Sequence, residues 1–291
     1  MTTRPNFDDF LALRRSDPRL ARLTHDVALP RSRGVEFGAD PHPLPLPDGL
    51  SVRYVDLVAR DAADEPVRHV WDGSGSLLAA LGEEQPLDFA IARLFAHRVP
   101  NLLGWFRGVF AALRPGGVLN MTLPDRRMTG DVLRTPSTLG EVLEADQLGL
   151  TRPSFRQLFD HRRLSVPLGP QQAWREAVDP GELARAGTEE ALAFARAASG
   201  DAADAVPCHC WVFTPYSFLD LLEELSRAGL FPLVISQFAT TEPGSSEFFV
   251  CLRHDHATDP EILLKRQTVA IDHVRKIALE RRRRAKLMAS L

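Results

Sequence analysis

Three acidic residues close short apolar runs in the first quarter of the chain: Glu36 in GVEFG at 34–38, Asp56 in SVRYVD at 51–56 and Asp72 in HVWDG at 69–73. Short apolar runs bounded by turn residues predict buried parallel strands. A carboxylate followed two residues later by glycine, as in Glu36 and Gly38, suits a ligand that carries an ammonium group. Glycine lets the backbone approach, and the carboxylate receives the ammonium directly or through water. An acid ending the second strand of a doubly wound sheet, the position of Asp56, can accept both hydroxyls of a ribose. The plainer role for any one of these acids is a helix cap or a solvated loop residue.

A second group could move protons. Asp125 closes the apolar run VLNMTLPD, and His161 and His209 follow at long range. Histidine titrates near neutral pH, so His161 and His209 are the better bases. His209 is preferred, because it lies just before the helix that leads into the sixth strand. The three side chains could also form a two-histidine, one-carboxylate metal site, but no local ligand spacing supports it and no metal is expected. Plainer roles are an ion pair of Asp125 with Arg126 or Arg127, and a surface turn around Asp160-His161-Arg162-Arg163. His97 is read as a histidine on a loop or helix start. Cys208, Cys210 and Cys251 are odd in number and lack zinc-finger spacing, so buried free thiols are expected.

The elements that must position these groups are organised around Leu87–Arg127. Residues 88–94 form an apolar run. After Pro100, residues Leu102, Leu103, Phe106, Val109, Phe110 and Leu113 recur at helical spacing. Arg114-Pro115-Gly116-Gly117 stops that helix, and Val118–Leu123 resumes as a strand. Strand, crossover helix and strand form the repeating unit of an open α/β sheet.

A helix closed by LRPGG and a strand ending in LPD, set after the acidic series, resemble the class I S-adenosylmethionine-dependent methyltransferases. The branch associated with small molecules and sugars is the nearest. HCWVFTP at 209–215, EPG at 242–244 and EFFV at 247–250 match the same branch. The resemblance implies an α/β fold: a Rossmann-like, doubly wound, seven-stranded and mostly parallel sheet with a reversed terminal hairpin. It also implies S-adenosylmethionine as cofactor and S-adenosylhomocysteine as product. Glu36, Gly38, Asp56, Asp72 and Arg93 are then the cofactor-binding set, with Asp72 on the adenine amino group. Two places depart from the family pattern. Ala39-Asp40-Pro41 stands where a second glycine is usual, and Leu94 and His97-Arg98 replace a histidine and a Glu-His pair.

With 291 residues, 44% of them hydrophobic and 25% charged, the chain has length for one large domain with an insertion or two small ones. A net charge of -3 disfavours nucleic acid as partner. No apolar run reaches the roughly 20 residues of a membrane helix, so a cytoplasmic protein is expected. The excess of arginine over three lysines, with abundant alanine, points to a GC-rich bacterial genome.

The expected divisions are an N-terminal helical segment or lid at 1–33 and a first part of the core at 34–127. An insertion acting as substrate cap at 128–210, the end of the core at 211–254 and a C-terminal helix at 255–291 follow. The helical segment carries Phe7, Phe10, Leu11 and Leu13 as its apolar face. The C-terminal helix carries a stripe through Leu263, Ala270, Val274, Ile277 and Leu287 or Met288, which could pack on the core or form a homodimer. The function expected is biosynthetic methyl transfer to oxygen of a sugar-containing or other polar small molecule. The alternatives are a methyltransferase fold repurposed for cyclisation or elimination, and a non-catalytic binding or scaffold partner.

Overall fold

The computed structural model describes residues 4–29, 31–39, 42–58, 68–175, 179, 181–199 and 206–289, without the side chains of 281–289. In chain order the elements are α1 (Phe7–Ser16), α2 (Pro18–Leu23), β1 (Arg33–Phe37), β2 (Ser51–Asp56), β3 (Arg68–Val70), α3 (Leu77–Leu81) and β4 (Leu87–Arg93). There follow α4 (Leu102–Ala112), β5 (Leu113–Pro124), α5 (Leu139–Gln147), α6 (Phe155–Leu164), α7 (Pro170–Arg175) and α8 (Thr188–Ala198). The chain closes with α9 (Pro215–Arg227), β6 (Leu233–Ala239), β7 (Glu247–His254) and α10 (Pro260–Ala289).

The seven strands form one sheet in the order β3-β2-β1-β4-β5-β7-β6. β1 to β5 run parallel, and β7 lies antiparallel to both β5 and β6. This is the mostly parallel sheet with a reversed terminal hairpin that the sequence leads one to expect. Its carboxyl edge changes direction between β1 and β4, where open sheets place their ligands.

Both faces are covered. Val35, Phe37, Ala90 and Ala92 point to the side packed by α3, α4 and α9. Phe89, Ile91, Val118 and Cys251 point to the side packed by Phe10, Leu20 and Leu23 of α1 and α2 and by Leu44, Leu46 and Leu50. The proline-punctuated stretch 42–50 thus takes the place a crossover helix would fill between β1 and β2. α4 begins at Asn101, whose side chain accepts the Gly104 amide at 2.8 Å. Gly108 brings it close to the Trp71 indole, where an added Cβ would lie 2.4 Å from the ring. Capping boxes start α5, α6 and α9.

Four local expectations are corrected. β3 ends at Val70, so Asp72 stands in the following turn. The Arg114–Gly117 segment is part of β5, where the register shifts opposite Leu87–Phe89 and Gly116 takes φ +82°. Leu94 lies past β4 with φ +47°. In α1 only Phe10 is buried, while Phe7 and Leu13 are exposed, because a single helical turn faces the sheet. α10 packs on its own core through Ile271 and through Gln267, whose side chain accepts the Ile235 amide at 2.9 Å. Asp40-Pro41 and the side chains of Arg281–Arg284, Leu287 and Met288 lie outside the described residues. No described helix is long and apolar enough to cross a membrane.

Candidate active site

At the carboxyl edge of β2 and β3 a cleft of about 480 Å³ opens between the sheet and the helical insertion. That volume is in the range of small-molecule sites. Leu57, Trp71 and Leu158 give it apolar walls, and Asp72, Ser74 and Arg98 bring polar groups. The turn that carries Asp72 is tight. Its Oδ1 accepts both the amide and the hydroxyl of Ser74, at 2.8 and 2.6 Å, and the Trp71 indole donates to the Ser74 carbonyl at 2.7 Å.

Toward β1 the expected cofactor residues are held by the protein itself. Glu36 is wholly buried; its carboxylate accepts the Leu44 amide and lies 3.0 Å from Arg93 Nε. Arg93 also donates to the His42 carbonyl at 2.5 Å. Pairing follows from register: Glu36 sits opposite Ile91, so Arg93 is two residues along β4. Burial pushes the Glu36 carboxyl up against the pull of Arg93, and burial pulls the Arg93 guanidinium down. Gly38 adopts φ +65°, with the space a Cβ would need already filled by the Phe95 ring at 3.1 Å and the Arg93 carbonyl at 3.2 Å. Asp56, at the end of β2, accepts the Leu57 amide at 2.8 Å and lies 3.6 Å from Arg98. Asp72 thus stands in the cleft lining, whereas Glu36 and Arg93 are committed to each other.

Three imidazoles gather behind the cleft wall. His97 follows β4 in a single 3-10 turn, His161 lies in the last turn of α6, and His209 lies on the extended segment before α9. The His209 ring stands 4.6 Å from that of His97 and 5.1 Å from that of His161. The segment is fixed by its neighbours: the Trp211 amide donates to the His97 carbonyl at 3.0 Å, and the Trp211 indole to the Val99 carbonyl at 2.6 Å. Cys208 and Cys210 flank His209, buried and free like Cys251.

The carboxylate in this cluster is Asp131, which sequence reasoning missed. Asp131 Oδ2 accepts from His209 Nδ1 at 2.6 Å, while Oδ1 accepts from Arg134 and from the Ser165 hydroxyl, both at 3.1 Å. Burial alone would raise its pKa, but the His209 hydrogen bond and the charges of His209 and Arg134 hold it well below the usual carboxylate range. Burial, then His209 and Arg134, lower His161 to about 4, and burial, then His209 and Arg98, hold His97 well below the usual histidine range. A carboxylate can only accept, so His209 Nδ1 carries a proton toward Asp131. Ser165 Oγ donates to Asp131 and lies 3.2 Å from His161 Nδ1, which also accepts the His209 amide at 3.5 Å. Asp125 stands apart, fully buried and saturated by Arg127 Nη2 at 2.6 Å and Thr241 Oγ1 at 2.7 Å. The only signal for Asp131 in the sequence is Arg134 one helical turn on, too common a pairing to single it out.

No protein-family model and no curated protein matches this sequence. Among solved structures, the chain is similar to an S-adenosylmethionine-dependent methyltransferase from Methanosarcina mazei, with 14% identity, coverage of 80% of this chain and 97% of that one, and a TM-score of 0.42. It is similar to another from Clostridium acetobutylicum, with 11% identity, 87% and 93% coverage and a TM-score of 0.42. A structure described by the conversion of a disulfide bond into a thioacetal group during echinomycin biosynthesis gives 16% identity, 93% and 91% coverage and a TM-score of 0.37. It is the strand order, with β7 reversed between β5 and β6, that gives this chain the class I methyltransferase fold.

Proposed function

We propose that the protein is an S-adenosylmethionine-dependent methyltransferase acting on a hydroxyl of a polar, sugar-containing small molecule. The observation that carries this reading is the Asp131–His209 pair, 2.6 Å apart, set behind a cleft of cofactor size at the carboxyl edge of the sheet. Asp56 and Asp72 are assigned the ribose and adenine of the adenosyl group, and Leu57 and Trp71 its apolar contacts. Bound there, the cofactor supplies an activated methyl group. Asp131 orients His209, fixes its tautomer and stabilises the imidazolium formed when Nε2 takes the acceptor's hydroxyl proton. His161 and His97 pack against the ring of that base, and Arg134 shares Asp131 with it. Arg98 and Arg152 in the lining provide donors for acceptor hydroxyls.

One observation favours a second reading, methyltransferase-fold chemistry without methyl transfer: Arg93 already occupies the Glu36 carboxylate. Calorimetric titration with S-adenosylmethionine and S-adenosylhomocysteine separates them. Micromolar binding of both, followed by methylation of a polyhydroxylated acceptor, supports the first reading; no binding of either overturns it.

A further inference from the structure

The cluster around His209 has a composition the proton-transfer reading does not use up. Asp131, His161 and His209 each present a ligand atom, and the three atoms lie within 4.8 Å of one another. We propose that these three side chains form a binding site for one divalent transition-metal ion of the zinc, cobalt or iron class. The ligand set, two imidazoles and one carboxylate, is that of sites that keep open positions for water or substrate. Donors about 2.1 Å from a tetrahedral centre stand ~3.4 Å apart, so side-chain rotations of about an ångström complete the shell.

Independent features point the same way. The three ligands come from separate segments, each pinned: Asp131 by Arg134, His161 by the capped helix α6, and His209 by its carbonyl, which accepts from Arg134 at 2.7 Å. Ser165 touches both Asp131 and His161, the outer-shell placement that orients metal ligands. His97 is buried against the His209 ring, and its Nδ1 has no hydrogen-bond partner among the described residues. A third imidazole with an unsatisfied nitrogen beside the other two is costly to keep for packing alone.

On binding, metal–nitrogen and metal–oxygen bonds form; where His209 coordinates through Nδ1, the proton it shares with Asp131 moves to Nε2, so the ligand stays a neutral imidazole. The open positions then take a water or the oxygen of an acceptor hydroxyl, whose acidity the metal raises. This goes beyond the methyl-transfer reading at the same cluster: a bound ion replaces the Asp131–His209 hydrogen bond and takes over activation of the acceptor hydroxyl, while its ligands lie outside the residues assigned to the adenosyl group.

The test uses the full chain, stripped of metal by a chelator and titrated with Co²⁺ while visible ligand-field absorption is followed. One equivalent should saturate intense bands of a four- or five-coordinate ion, and Zn²⁺ should abolish them. His161→Ala and His209→Ala should weaken Co²⁺ about 100-fold or more, Ser165→Ala about 10-fold, and His25→Ala not at all. Absence of such bands with the wild-type chain overturns the proposal even if a variant fails to fold. So does wild-type Co²⁺ affinity in a folded His161→Ala. A parallel titration with S-adenosylhomocysteine reports on the adenosyl site separately, so failure of either reading is seen by itself.

Discussion

Two buried carboxylates at the carboxyl edge of this sheet, Glu36 and Asp131, meet opposite fates. Glu36 ends up sealed: the guanidinium of Arg93 from the adjacent strand covers it, and burial dominates both partners, pushing the acid up and the base down. Asp131 meets a histidine, an arginine and a hydroxyl at three different oxygen contacts and is held ionised. The difference teaches that burial does not by itself make a carboxylate functional. One whose partner is a histidine with a second ring nitrogen, as His209 is to Asp131, can take part in passing a proton on. One whose partner is a neighbouring arginine in a dry strand pair is closed.

The comparison can be broken most directly at its reactive side. His209→Ala should lower methyl-transfer turnover by about 10²–10⁴-fold, the usual contribution of a positioned base, while S-adenosylhomocysteine affinity is unchanged by calorimetry. Retained turnover would remove His209 from the chemistry. At the sealed side, Glu36→Ala should cost about 3–5 kcal/mol in urea unfolding, because it leaves Arg93 buried without its partner. The double replacement Glu36→Leu with Arg93→Met should recover most of that loss, as apolar substitutes for a buried pair commonly do. A double variant no more stable than Glu36→Ala would show that the pair does more than neutralise itself.

Asp72→Ala should weaken S-adenosylhomocysteine binding by about 10- to 150-fold, the equivalent of a lost charged hydrogen bond worth roughly 1.5–3 kcal/mol. Unchanged affinity would remove Asp72 from the adenosyl site. The smallest effect is one of slope. Asp131 binds its proton less tightly when folded, so its contribution to stability is present above about pH 3.9 and is lost as pH falls toward the folded value. Glu36 binds its proton more tightly when folded, so its contribution is greatest in acid and declines as pH rises above about 4.3. Urea midpoints measured between acid and neutral pH should therefore flatten on the acid side in Asp131→Asn and tilt the opposite way in Glu36→Gln. Parallel changes in both would contradict the assignment.

Much of the scaffold was legible along the chain. The apolar run SVRYVD marked β2 to its observed ends, and the recurrence of Leu102, Phe106 and Val109 marked the buried face of α4. These signals are local, since cap, period and turn chemistry act within a few residues. The prolines of 42–47 disfavour a helix after β1, and none forms in the described residues there.

The candidate site was legible only in part. His161 and His209 were chosen as bases and do lie together. The acid beside them was sought at the strand end, where Asp125 stands, rather than six residues later at Asp131. Strand-end reasoning finds which side chains reach the ligand edge, but not which of them are already spent. Asp125 is spent on Arg127 and Thr241, the latter 116 residues away. Sequence by itself determined the order of strands and helices, the reversed hairpin signalled by EFFV, and the presence of carboxylates and imidazoles at the sheet's edge. Tertiary structure alone decided that Arg93 closes on Glu36 and that Asp131 meets His209 across 78 residues. Such pairings depend on strand register and on the path of the insertion, and no local pattern of residues encodes either.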